Sequence, residues 1–305
     1  MHEGRADRRR VANETNQLDE VNDAATDVDA QTYSWLWRIG ASVRIVLIKY
    51  WIVLCAAMLL ANAFGAVKQT ANPVPPLLRG VHRVVCLGDS ITQFGEGPGG
   101  YVWLVRHYLK DLYPDQNIET LNAGISGHKS TDMIARYQRD VLDKKPDLIT
   151  ISVGVNDVWH GFYDGHPKGD GPRGVKLEDY RKNVESMVSQ AQALGIKVVI
   201  LTTTVIYENL DSNENKKASS YNAALRDIAR EHNCTFVDFI KPFRTLITAY
   251  HTTTGGRDNL LTVDGVHMNS EGNKVMAHAI LTGLGISPQA QESVQKQVAT
   301  EQSAK

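Results

Sequence analysis

From Val81 onward the chain alternates two patterns of apolar and polar positions. Short runs dense in β-branched and apolar residues, Val84 to Leu87, Ile118 to Asn122, Leu148 to Val153, Val198 to Val205 and Thr235 to Phe239, read as strands. A run as continuous as Val84 to Leu87 reads as a strand buried on both faces. Between the strands, apolar residues recur at helical spacing over Tyr101 to Leu112, Thr131 to Asp143, Leu177 to Leu194, Asn215 to His232 and Ser270 to Leu284. Gly195 and Gly285 stand just past two of these segments, where a glycine that ends a helix belongs. The alternation predicts an α/β fold over residues 81–286, with a five-stranded parallel sheet and helices on both faces. Residues 287–305, rich in Gln, Ser and Ala, are expected to be a solvated tail.

Before residue 81 the pattern is different. Residues 1–33 are polar, with Arg8, Arg9 and Arg10 followed by an acidic stretch from Glu14 to Asp29, and read as a disordered tail. Tyr50 to Val67 carries no charge and, as a helix, spans about 27 Å, close to the hydrocarbon thickness of a bilayer. Trp35, Trp37, Tyr50 and Trp51 suit an interfacial belt on its amino-terminal side, where Arg38, Arg44 and Lys49 add positive charge. Residues 34–67 are therefore read as a membrane-anchor helix, with the folded domain outside the cytoplasm. The rival readings are a secretory signal cleaved near Ala61-Asn62-Ala63, which would release the domain, and a buried helix. Residues 68–80, with Pro73, Pro75 and Pro76, read as an extended linker.

Charge and cysteine content remove several functional classes. The 33 basic and 34 acidic residues nearly cancel, which argues against nucleic acid as a partner. Cys55, Cys86 and Cys234 are too few and too scattered for a disulfide framework and read as buried thiols. No Cys-x-x-Cys or His-Glu-x-x-His spacing appears, so no metal and no other cofactor is expected. No Gly-x-Gly-x-x-Gly follows the first strand, which weighs against a dinucleotide.

Four loops at strand ends or helix starts carry candidate chemistry. Gly88-Asp89-Ser90 follows the first strand, and Ser90 suits either a nucleophile or the N-cap of the next helix. Asn122-Ala123-Gly124-Ile125-Ser126-Gly127 follows the second, where Gly124 lets a backbone N–H face a ligand or simply makes a tight turn. Gly154-Val155-Asn156-Asp157 follows the third, and Asn156 offers an amide donor or an Asx cap. In Asp264-Gly265-Val266-His267, a carboxylate three residues ahead of a histidine can orient the imidazole and leave its other nitrogen as a base. All four fall on one predicted sheet edge and together supply nucleophile, base, orienter and donors.

Gly88-Asp89-Ser90-Ile91-Thr92, Gly124, Gly154-Val155-Asn156-Asp157 and Asp264-x-x-His267 resemble the four ordered blocks of the SGNH hydrolases, also called the GDSL esterase/lipase family, over roughly residues 81–285. The resemblance implies a flavodoxin-like three-layer α/β/α sandwich and cofactor-free ester hydrolysis. It implies Ser90 as nucleophile, His267 as base, Asp264 as its orienter, and an oxyanion hole from the N–H groups of Ser90 and Gly124 with the Asn156 amide. Asp89 and Asp157 are read as loop-ordering groups. Trp159 and His160 either touch substrate or cover the sheet edge, and the Gly- and Pro-rich stretch from Gly165 to Gly174 could wall a pocket. The expected substrate is a small-molecule or carbohydrate ester with a short acyl group such as acetyl. The alternatives are a lysophospholipase or thioesterase for longer chains, and a carbohydrate-binding module that keeps the fold without catalysis.

Overall fold

The computed structural model describes residues 72–303. Strands β1 (Arg83–Gly88), β2 (Glu119–Gly124), β3 (Leu148–Ser152), β4 (Lys197–Leu201) and β5 (Thr235–Val237) pair in parallel in the order β2-β1-β3-β4-β5. In this flavodoxin-like order the chain winds to one side of β1 and then, from β3 onward, to the other. Val84 to Leu87, Leu148, Ile149, Ile151 and Val198 to Leu201 are buried, as continuous apolar runs in a parallel sheet covered on both faces require.

The helices are α1 (Ser90–Phe94), α2 (Tyr101–Leu112), α3 (Ser130–Asp140), α4 (Val155–Trp159), α5 (Leu177–Ala193), α6 (Asn213–Glu231), α7 (Ile240–Thr254), α8 (Ser270–Gly283) and α9 (Pro288–Ser303). Helices α3, α5 and α6 pack side by side as one layer, and α2, α8 and α9 form the other, with α7 against α8. The apolar stripes do this work: α5 buries Tyr180, Val184, Met187, Val188 and Ala191, which recur at helical spacing on one face.

The structure departs from the pattern at its margins. Strand β4 ends at Leu201: Thr202 N–H still donates to Val237 O at 3.0 Å, but the next N–H, that of Thr203, turns to Asn222 Oδ1 at 2.8 Å. Helix α7 carries no clear sequence signal, because it buries only Phe243 and Ile247 and ends in the weak helix formers Thr252, Thr253 and Thr254. Residues 288–303 are a helix rather than the expected solvated tail. Ala290 and Val294 are buried, and the Gln291 amide donates to Ile286 O at 3.0 Å and Thr282 Oγ1 at 3.1 Å. The end of the expected linker belongs to the fold as well. Leu78 is fully buried, and Lys197 Nζ donates to the carbonyls of Leu77 and Arg79 at 2.8 and 2.7 Å. The polar tail over 1–33 and the anchor over 34–67 lie outside the described residues. Among the described residues no helix is long and apolar enough to cross a membrane.

One close approach fixes how α1 sits on the sheet. A Cβ on Gly124, at the end of β2, would lie 2.2 Å from Gln93 N, 2.7 Å from Thr92 C and 2.8 Å from Asp89 O, all of them backbone atoms that cannot swing away. Gly124→Ala is expected to push α1 off β2 and destabilise the fold by about 1–3 kcal/mol, the usual range for overpacking, seen as a lower urea midpoint by circular dichroism.

Candidate active site

The carboxyl ends of β1, β2 and β3 set three loops beside one another, with Gly88 in register with Gly124 and Leu87 with both Ala123 and Ile151. Between β1 and β3 the winding of the sheet reverses, and such a switch point is where open α/β sheets form their ligand crevice.

Asp89 is the N-cap of α1, its Oδ1 accepting from Ile91 N–H at 3.0 Å. The capping duty that Ser90 might have taken therefore falls to its neighbour, and Ser90 becomes the first helical residue. Its Oγ lies 2.9 Å from Nε2 of His267, and Nδ1 of His267 lies 2.7 Å from Oδ2 of Asp264. Asp264 Oδ1 also accepts from the N–H groups of Val266 and His267 at 3.0 and 2.8 Å, so one carboxylate folds the turn and holds the ring. Burial by itself raises the Asp264 carboxyl, but the hydrogen bonds from the His267 ring and from those two N–H groups outweigh it and hold the group below its ordinary range. A carboxylate facing Nδ1 places the imidazole proton there and leaves Nε2 to accept from the Ser90 hydroxyl.

Asn156 sits inside α4, not at its cap. Gly154 makes the turn before it at φ 125°, a conformation that favours glycine. The buried Asn156 amide donates one N–H to His128 O at 3.0 Å, leaving the second without an acceptor among the described residues. The expectation for Gly124 needs correcting. Its N–H donates to the Asn122 side chain at 2.8 Å, so it is not open to a ligand, and its glycine identity follows from the close approach of α1. The free donor of this loop is Gly127, at φ 77°, exposed, with no acceptor for its N–H among the described residues and one residue from the carbonyl that holds Asn156.

Two contributors belong to none of the four sequence blocks. Phe94, one helical turn beyond Ser90, brings its ring centroid to 5.3 Å from His267 while remaining 60 % exposed. That i, i+4 spacing was the available signal. Arg136 is buried and donates to Gly88 O at 3.0 Å and to His128 Nδ1 at 3.0 Å, tying the strand that leads to Ser90 to the residue that holds Asn156. A buried arginine in an otherwise amphipathic helix carries no such signal.

Asp89 and Asp157 order loops, as expected. Asp157 accepts from Ser130 N–H at 3.0 Å and from Ser130 Oγ at 2.5 Å, while its carbonyl accepts from Val175 N–H at 3.0 Å. Trp159 reaches the His267 loop indirectly. Its Nε1–H donates to the Tyr207 hydroxyl at 3.1 Å, and Tyr207 N–H donates to Gly265 O at 2.7 Å. His160 stacks on Tyr163 with centroids 5.0 Å apart; burial, then the charges of Lys129 and Arg173, push its pKa below the ordinary value. It has no hydrogen bond to Ser90, Asn156 or His267. The Gly- and Pro-rich loop walls a different place, a cleft of about 830 Å³ lined by Lys129, Asp170, Val175, Asp179 and Lys217, among others, and by none of Ser90, Asn156, Trp159 or His267.

Fold and site together define a hydrolase of the α/β class. The chain belongs to the GDSL-like Lipase/Acylhydrolase family, whose model matches residues 86–275, and it is a carboxylic ester hydrolase. Acetylxylan esterase of Geobacillus stearothermophilus is 30% identical over 214 residues, which is 67% of this chain and 94% of that protein. The crystal structure of that organism's acetylxylan esterase Axe2 superposes with a TM-score of 0.59 at 29% identity, covering 68% of this chain and 95% of the other. LAE5, an α/β hydrolase from the metagenome of Lake Arreo, Spain, gives a TM-score of 0.58 at 29% identity, covering 67% of this chain and 95% of its own. Axe2 variants with a serine, an aspartate or a histidine replaced by alanine are reported as catalytic mutants, and the latter two positions are three residues apart.

Burial pushes the Asp89 carboxyl up to about 7, with the charge of Asp157 adding to the rise, and pushes the Asp157 carboxyl up to about 6. The unfolded chain releases the Asp89 proton near 3.8, so between about pH 4 and 7 the folded state binds a proton that the unfolded state does not, and stability falls as the pH rises through that window. Asp89→Asn keeps the Oδ1 cap and removes the titration. Urea denaturation is expected to find this variant close to wild type at pH 4 and more stable than wild type at pH 8.

Proposed function

We propose that the protein is a serine esterase acting on short-acyl esters, and on acetyl groups carried by carbohydrate in particular. The observation that carries this reading is the continuous hydrogen-bonded run from Ser90 Oγ through His267 to Asp264. In this mechanism Nε2 takes the hydroxyl proton as Oγ attacks the ester carbonyl. The imidazolium returns that proton to the leaving alcohol as its C–O bond breaks, and water hydrolyses the acyl-enzyme by the same route. Asp264 holds the tautomer and stabilises the imidazolium. The charge that develops on the carbonyl oxygen is met by the N–H groups of Ser90 and Gly127 and by the free N–H of Asn156. Gly127 takes the place first given to Gly124, whose N–H is spent on Asn122.

Three observations support the acetyl-carbohydrate assignment. The acetylxylan esterase relative spans most of the fold, and its catalytic aspartate and histidine have the spacing of Asp264 and His267. The Asp264 side chain is 51 % exposed, so the site stands at an open rim that a polymer-borne ester can reach. Trp159, Tyr163 and Tyr207 form an edge-to-face aromatic cluster linked to that rim, with faces of the kind that pack on sugar rings. For residues 34–67 the anchor reading is kept as part of the proposal, resting on the uncharged run from Tyr50 to Val67. Alkaline carbonate extraction of membranes is expected to leave the full-length protein in the pellet; recovery in the supernatant would refute anchoring.

With p-nitrophenyl esters, activity is expected to peak at acetate and to fall with chain length, because extra methylenes gain binding only in a matching apolar pocket. An optimum beyond about eight carbons would favour the lysophospholipase or thioesterase reading instead. A fluorophosphonate probe is expected to label wild type and not Ser90→Ala. Asn156→Ala is expected to lower kcat by roughly two to three orders of magnitude, the usual loss for one oxyanion donor.

A further inference from the structure

The loop after β4 was not among the four loops singled out by sequence, yet it holds the segment that carries Asp264 and His267. Glu208 is 3 % exposed, and both of its carboxylate oxygens are engaged. Oε2 accepts from Leu260 N–H at 2.8 Å, and Oε1 accepts from Leu261 N–H at 2.8 Å and from the Thr262 hydroxyl at 2.7 Å. One residue earlier, Tyr207 N–H donates to Gly265 O, between Asp264 and His267. Tyr207 takes the left-handed conformation at φ 59°, uncommon for a bulky residue. The Asn215 side chain clamps it there: Oδ1 accepts from Ile206 N–H at 2.9 Å, and Nδ2 donates to the carbonyls of Ile206, Tyr207 and Asn209 at 2.8, 3.0 and 2.8 Å.

The segment being held has little regular structure of its own. Between the end of α7 at Thr254 and the start of α8 at Ser270, the only sheet-type pairing is an isolated bridge from Thr262 to Met268. Its position therefore depends on side-chain anchors. Burying a carboxylate is costly unless its acceptors are filled, and Glu208 is filled by three donors from the residues just ahead of Asp264. An apolar side chain would pack in the same space without fixing the backbone so narrowly; a charged group with directional partners does fix it.

We propose that Glu208 is a positioning residue for the esterase reaction. It touches none of the reacting atoms and acts by holding residues 260–267 so that Nε2 of His267 stays within hydrogen-bond reach of Ser90 Oγ. The inference rests on the assignment of Ser90, His267 and Asp264 above. Displacements of about 1 Å at a reacting group can cost two orders of magnitude in rate, so Glu208→Gln, which turns one acceptor into a donor facing Leu260 N–H, is expected to lower kcat about a hundredfold with KM little changed. The labelling rate with a fluorophosphonate should fall in parallel. The low-field proton resonance of His267 Nδ1–H should persist, because Asp264 and His267 move as one unit.

A kcat within about threefold of wild type would overturn the proposal, since a 1 Å displacement costs far more than that. Loss of the low-field resonance would overturn it too, because the turn itself would then have collapsed. Should Glu208→Gln not fold, Thr262→Val removes one donor and leaves the two backbone donors in place. It is expected to lower kcat in the same direction but by less, and an unchanged kcat refutes the idea. The two assignments fail differently: a wild type that the probe does not label removes the Ser90 reading, whereas equal labelling of wild type and Glu208→Gln removes only the role of Glu208.

Discussion

The interaction on which the site depends is the hydrogen bond between Asp264 Oδ2 and His267 Nδ1, 2.7 Å long. A serine hydroxyl becomes a useful nucleophile only beside a base, and an imidazole offers Nε2 as that base only while its proton stays on Nδ1. A partly exposed carboxylate would ordinarily be a weak partner in water. Here its other oxygen is committed to two backbone N–H groups of the same turn, so it cannot swing away from the ring. The sheet supplies what lies opposite. β1 ends between β2 and β3, Asp89 caps the helix that begins there, and Ser90 is delivered with its hydroxyl directed at His267.

Much of this was legible along the chain. Apolar runs placed the strands, most clearly β1, β3 and β4, because strands buried on both faces leave no polar alternation to confuse them. The order of the sheet was not in the runs themselves; it followed from resemblance and is now observed. At the strand ends the residue types were right, but their duties were not decidable. Ser90 and Asp89 are both good caps, and only the geometry assigns the cap to Asp89. Asp264 was given one role and has two. Gly124 and Gly127 are chemically identical in the sequence, and what separates them is that the neighbouring Asn122 consumes one N–H and leaves the other exposed.

The features that escaped share a physical cause, which is that their contribution depends on long-range contacts with no local signature. Arg136 and Glu208 are charged residues that sequence patterns place on the surface, and both are buried because partners far along the chain complete their hydrogen bonds. Helix α7 buries only two apolar side chains and docks on α8, and α9 docks on α2 and α8, contacts that no local pattern announces. Trp159 and His160 were placed together by adjacency, yet only Trp159 is linked through Tyr207 to the loop of His267.

Asp264 and His267 lie on one turn ahead of α8, whereas Ser90 begins the helix that follows β1. The site is thus divided into two halves that meet at the 2.9 Å contact of Ser90 Oγ with His267 Nε2 and at the Phe94 ring beside the imidazole. A displacement of the turn would carry Asp264 and His267 together, so the imidazole would keep its tautomer even out of reach of the serine. The site in that state is a charged and correctly protonated half waiting for its counterpart, and nothing in it has to be rebuilt before the next encounter.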